Sequence, residues 1–145
     1  ADPSRALSCV LPGTASVRDA ISAIAATRRA VVVVSDDGAH HRHVDGILTP
    51  KDLLTRVVAK RVTPDDALVR DVMTPNPDTL PPDATLLDAL QLMHDKRFLS
   101  LPIFDAEAGA VRGVVDVTEL AFATMGSDDA DGWSTLMAAD DNDSA

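Results

Sequence analysis

Two stretches of the chain carry the same order of apolar and polar positions. Residues 10–24 read VLPGTASVRDAISAI and residues 79–93 read TLPPDATLLDALQLM. Aligned, they share Leu11/Leu80, Pro12/Pro81, Ala15/Ala84, Asp19/Asp88 and Ala20/Ala89. They exchange like for like at Ser16/Thr85, Val17/Leu86, Ile21/Leu90 and Ile24/Met93. The register continues through the apolar runs at 30–34 and 99–103, then through GILTPKDL from Gly46 and GVVDVTEL from Gly113. An internal duplication of this kind decides architecture before any single element does.

Each copy predicts a short strand, a helix, a hairpin and a second helix. Ser16 stands as an N-cap with Asp19 at the third helical position, and Val17, Ala20, Ile21 and Ile24 follow at helical spacing; Thr85 and Asp88 repeat that start. AVVVV and FLSLPIF are strand-like runs closed by the turn sequences SDDG and DAEAG, and they lead into the strands HVDGIL and VRGVV. Helices follow over 50–59 and 117–125. The connector KRVTPDDALVRDVMTPNP predicts a helical turn over 64–69, with Thr63 capping and Pro64 first, before MTPNP enters the second copy extended.

A run such as VVVV, apolar at every position, belongs to a sheet covered on both faces. One copy alone is too small to cover both, so the two copies are expected to pack sheet against sheet as one folding unit. The organisation read from the chain is residues 1–62 as the first copy, 63–126 as connector and second copy, and 127–145 as an acidic tail. That tail holds Asp128, Asp129, Asp131, Asp140, Asp141 and Asp143 without Lys or Arg, and its small polar composition predicts no fold of its own. Trp133, Leu136 and Met137 are its apolar positions; they are sparse residues of a chain end, or they dock on a partner.

The formal net charge of -10 argues against nucleic acid, which demands clustered Lys and Arg. No apolar run approaches the roughly 18 residues of a membrane span, and the N-terminus lacks the order of a signal peptide, so an intracellular protein is expected. The single cysteine, Cys9, rules out an internal disulfide. It sits beside Val10 and Leu11 with no histidine near in sequence, and reads as a buried small hydrophobe.

With the repeated unit, the connector DVMTPNP, the strand LPIF and the ending GILTPKDL in view, the chain resembles a CBS domain pair, or Bateman module, from about residue 8 to 125. The run GILTPKDLLTRVVAKRVTPDDALVRDVMTPNP further resembles the CBS pairs found beside a PB1 domain in plant and fungal proteins. The resemblance implies an α/β (α+β) fold of two βαββα repeats packed sheet to sheet with pseudo-two-fold symmetry. It also implies a non-catalytic regulatory role, an adenosyl ligand (AMP, ADP, ATP or S-adenosylmethionine) in the cleft between the repeats, a homodimer, and an attached or separate effector domain.

The family's ligand signature, Gly-h-h-Thr/Ser-x-x-Asp with h apolar, is matched by Gly46, Thr49 and Asp52. By the same resemblance, Cys9 and Val10 line the ligand at the first strand, and Arg29, Ala30 and Val31 at the start of the second, with Leu99 and Ser100 across the cleft. A weaker second site would use Asp78, Thr79, Phe98, Asp116 and Glu119.

The chemistry of the signature is sound. A helix beginning at Thr49-Pro50 directs free N–H groups and its positive end at a phosphate, and Asp52 offers a carboxylate to the two hydroxyls of a ribose. The same four residues are also a good helix start by themselves, with Thr49 and Asp52 as a capping box, and the two roles are compatible. In the second copy Asp116 replaces the threonine and repels phosphate; with Glu119 it reads first as a cap. Many AMP-binding members carry His or Arg where Leu99 and Ser100 stand here, and their absence argues against a polyphosphate; Arg29 and Arg97 of this chain are nearby cations that either substitute for them or are solvated. His40, His41 and His43 form an HHxH cluster, but neighbouring loop histidines diverge and no fourth ligand follows at metal spacing, so no metal site is expected. His94, with Lys96 and Arg97, sits at a helix end that favours basic residues. No GxxxxGK, GxGxxG or GxSxG motif occurs.

Overall fold

A computed structural model of the chain describes residues 9–35 and 43–126. The first copy is built from β1 (Val10–Pro12), α1 (Val17–Thr27), β2 (Val31–Val34), β3 (Gly46–Leu48) and a helix, α2 (Pro50–Asp52), that continues as a π-helical segment over Leu53–Val58. The connector contributes α3 (Val69–Val72) and β4 (Thr74–Pro75). The second copy has α4 (Leu86–Lys96), β5 (Ser100–Asp105), β6 (Ala110–Asp116) and α5 (Val117–Gly126).

The first sheet runs β1-β2-β3-β4, with β1 parallel to β2 and the other pairs antiparallel. The second is the antiparallel pair β5-β6, and its own first strand is reduced to one parallel bridge, Leu80 to Ile103. This bridge keeps the order of the first copy, in which Leu11 pairs with Val33.

Alternation along β2 explains why all four of its valines are buried. Val31 and Val33 face a core with Val17 and Ala20 of α1, Leu48, Val57, Val69 and Val72. Val32 and Val34 face the other way, into a cluster with Cys9, Ala30, Val44 and Ile47 that reaches Phe104 and Val114 of the second copy. In that copy Leu101, Ile103 and Val115 turn toward Leu86, Ala89 and Met93 of α4 and Leu120 of α5. The irregularity at Ile103/Phe104 leaves Arg112 as an extra residue on β6, so that Val111 joins Val114 and Phe104 at the shared layer. The sheets thus meet face to face with helices outside, as two duplicated apolar faces require. Each fully buried valine or leucine contributes roughly 1.5–3 kcal/mol.

The helix starts fall where the duplication puts them. Ser16 Oγ accepts the Asp19 N–H at 3.1 Å, and Thr85 and Asp88 form a reciprocal capping box with both bonds at 3.1 Å. Both helices end on an arginine in the left-handed region, Arg28 at φ 61° and Arg97 at φ 58°.

The connector departs from the sequence reading. The expected helical turn over 64–69 is only a turn, closed by Asp66 N–H on the Thr63 carbonyl at 3.0 Å, and the helix begins at Val69. The cause is pairing: Val17 N–H donates to the Ala67 carbonyl and Val69 N–H to the Ala15 carbonyl, so the chain at Ala67 and Leu68 is held extended against the start of α1. The helix expected over 50–59 is present, but most of it is π-wound, with the Ala59 N–H on the Leu54 carbonyl at 2.9 Å. The tail at 127–145, with Trp133, Leu136 and Met137, and His40 and His41 of the histidine loop lie outside the described residues.

Candidate functional site at the start of helix α2

Strand β3 delivers the chain to Thr49, whose extended backbone ends the sheet and whose side chain begins α2. Its Oγ1 accepts the Asp52 N–H at 3.2 Å, while the Asp52 carboxylate accepts the Thr49 N–H at 3.0 Å through Oδ2. The Thr49 hydroxyl also lies 3.2 Å from that Oδ2. Pro50 occupies the first turn, where its missing N–H costs nothing.

Asp52 is 7% exposed, the one charged side chain among the buried residues described. A carboxylate at that depth requires donors. Besides Thr49, it receives the Thr74 hydroxyl on Oδ1 at 3.0 Å, and the Arg56 guanidinium stands 3.8 Å away. Arg56 in turn donates to the Met73 carbonyl. Thr74 and Arg56 were not singled out from the sequence; a hydroxyl in the apolar and proline-rich MTPNP stretch was the only signal for Thr74. The carboxylate has about four acceptor directions, and the protein already uses most of them. The helix-capping role of Thr49 and Asp52 is therefore realised in full.

Gly46 serves this site sterically. A Cβ there would lie 2.3 Å from Met73 Sδ, 2.9 Å from its Cγ and 3.0 Å from the Thr74 carbonyl oxygen. Glycine here lets β4 and the Met73 side chain lie close against β3, and that contact carries Thr74 to Asp52.

The remaining candidates fall into separate groups. Cys9 is buried, and its carbonyl accepts the Val32 N–H at 2.7 Å; Val10 packs beside it, and Ala30 shares that cluster. Val31 is fully buried and pairs with Leu48. Leu99 is exposed, with its carbonyl taken by the Val117 N–H at 2.8 Å. Ser100 pairs with Asp116 across β5-β6. Phe98 packs on the core of the second copy, whereas Asp78 is exposed and Thr79 half-buried.

Asp116 and Glu119 cap α5 reciprocally, with bonds of 2.8 Å and 3.3 Å. Arg29, expected with the first site, instead crosses to the second copy: it forms an ion pair with Glu119 and donates to the Val114 carbonyl at 3.0 Å. His43 is exposed and pairs with Asp45 at 3.2 Å, and no cluster of three metal-ligating side chains occurs among the described residues. No helix of the described residues is long and apolar enough to cross a membrane.

Comparison with known proteins agrees with this architecture. The CBS domain model matches residues 8–59 and 69–126. The CBS domain-containing protein CBSCBSPB2 of Arabidopsis thaliana is 48% identical over 84 residues, which are 57% of this chain but 16% of that relative's length. Among solved structures, CBSX2 in complex with AMP aligns with a TM-score of 0.61 at 22% identity, covering 81% of this chain and 87% of that one. The CBS domain protein PAE2072 of Pyrobaculum aerophilum, complexed with AMP, aligns with a TM-score of 0.65 at 21% identity, covering 75% and 79%. At such identities the structural likeness is one of fold. Two matched repeats, with their sheets face to face, place this chain in the CBS domain family as a tandem pair.

Proposed function

We propose that this CBS pair is a regulatory, non-catalytic module of an intracellular protein that takes an adenosine-containing ligand (AMP, ADP, ATP or S-adenosylmethionine) at the start of α2. In this reading Asp52 accepts from the ribose, and the Thr49 hydroxyl at the positive end of the helix faces the phosphate or its replacement. The observation that carries it is the buried Asp52 carboxylate bonded to the half-buried Thr49 directly after β3, in a fold whose solved neighbours include AMP complexes. Asp52 is also bound to Thr74 on the connector, so a diol competing for Oδ1 would be felt where the two repeats are joined. The ligand then acts by binding one arrangement of the repeats more tightly than another, and an attached effector domain reads the difference.

Thermal melts with each of the four ligands test this. A ligand at 100 times its dissociation constant adds about 2.7 kcal/mol, and Asp52→Asn, compared with its own ligand-free melt, should abolish the shift. A flat response of the native chain to all four would sink the reading.

One observation favours a second reading, a CBS scaffold that dimerises without ligand. Leu54, Val58, Phe122 and Met125 project large apolar side chains from the π-helical segment and α5, each more than 60% exposed. Dimers that persist on dilution with no ligand response would support it.

A further inference from the structure

The second copy answers the Asp52 carboxylate with a different arrangement. Glu119 holds the position matching Asp52 in the duplicated register, and both of its oxygens are engaged. Oε2 accepts the Asp116 N–H, and Oε1 meets the guanidinium of Arg29, which arrives from the turn between α1 and β2 of the opposite copy. The two side chains are 19% and 24% exposed, so the pair is largely removed from water. The same Arg29 Nη1 is anchored on the Val114 carbonyl. The duplication does not supply the reverse contact: the residue matching Arg29 is Phe98, an uncharged ring packed on the second core. Among the described residues, the partners of Asp52 come from its own copy and the connector.

We infer that Arg29 is a built-in occupant of the second copy's ligand position. Its guanidinium takes, within the chain, the carboxylate that a ribose diol would need, and so closes the second copy's position to an adenosyl ligand. A diol offers neutral donors to Glu119, whereas the guanidinium offers a charged one at close range in a partly dry setting, which is the stronger bond. Asp116 beside it repels any phosphate. The inference rests on the proposed function for the meaning of the position, but the two are separable by count.

Adenosine is the probe, since it carries the diol without a phosphate. Calorimetric titration of the native chain should give one adenosine per chain, Arg29→Met two, Asp52→Ala none, and the double variant one. Two per native chain, or a count that Arg29→Met fails to raise, overturns the inference. None in the native chain with one in Arg29→Met would uphold the inference and sink the proposed function. Should Arg29→Met not fold, amide spectra of the native chain decide. Adenosine should move the signals of Thr49 and Asp52 and leave Asp116 and Glu119 in place, and movement at the latter two overturns the inference.

Discussion

Arg29 and Glu119 belong to different repeats, yet they form an ion pair across the line where the copies meet. The pair lies beside an apolar contact between the same two surfaces, made by Val32, Val34, Phe104 and Val114, whose side chains have no directional preference. A double-mutant cycle with Arg29→Met and Glu119→Gln in urea should return a coupling energy of about 1 kcal/mol. Simple additivity of the two losses would show that the contact holds nothing.

At α2, Asp52 serves more donors than Thr49 does. Thr49→Ala removes one cap acceptor, at a cost of about 1 kcal/mol. Asp52→Ala leaves the half-buried Thr49 N–H and Thr74 hydroxyl without their acceptor and should cost more, about 1–3 kcal/mol. Urea midpoints of the two variants check the order, and the reverse order would contradict the buried network.

Gly46→Ala should destabilise by about 1–3 kcal/mol, because its Cβ would enter the space of Met73 and the Thr74 carbonyl. Truncating Met73 to alanine in the same chain removes two of the three close atoms. The double variant should therefore lose less than the sum of the singles, measured by thermal melting.

Arg28 and Arg97 occupy backbone at φ 61° and 58°, where an L side chain is strained. Glycine is the usual residue after a helix at that conformation. Either residue replaced by glycine should stabilise by about 0.5–1 kcal/mol after the added freedom of the unfolded chain is subtracted. A fall in the urea midpoint would show that the arginine side chain contributes more than its backbone loses.

Asp105 sets an acid limit. The Arg112 guanidinium, at 3.0 Å, and the Ala108 N–H, at 3.2 Å, hold its carboxyl below the ordinary value of 3.8. The native form therefore prefers the ionised carboxyl. Its contribution is complete above the unfolded value and disappears as pH falls through the lowered native one. A carboxyl titration by NMR should place the Asp105 midpoint below 3.8, and in Arg112→Gln that midpoint should move up.

The fold was legible because the duplication states each element twice. Thr85 and Asp88 repeat the cap of Ser16 and Asp19, and a valine run buried on both faces needs a second layer. Thr49 and Asp52 were legible for the same local reason. What escaped was set by contacts distant in sequence. Ala67 is spent on pairing with Val17, Thr74 lies 22 positions from the carboxylate it serves, and Arg29 finds Glu119 in the other copy. Helical periodicity carries no mark of any of these, and the π-winding of Leu53–Val58 has no pattern of its own in the residues.

The first sheet keeps the connector as its fourth strand, and Asn76 is fastened to the Asp45 carbonyl at 3.0 Å just beyond it. Only Pro77, Asp78 and Thr79 then lie between that anchor and the bridge at Leu80, a leash of roughly 14 Å at full stretch. One of the three has its φ fixed by a ring. Any swing of one half against the other must be taken up there, so the halves can pivot but cannot travel. A half severed ahead of Thr74 would leave behind the edge of its own sheet.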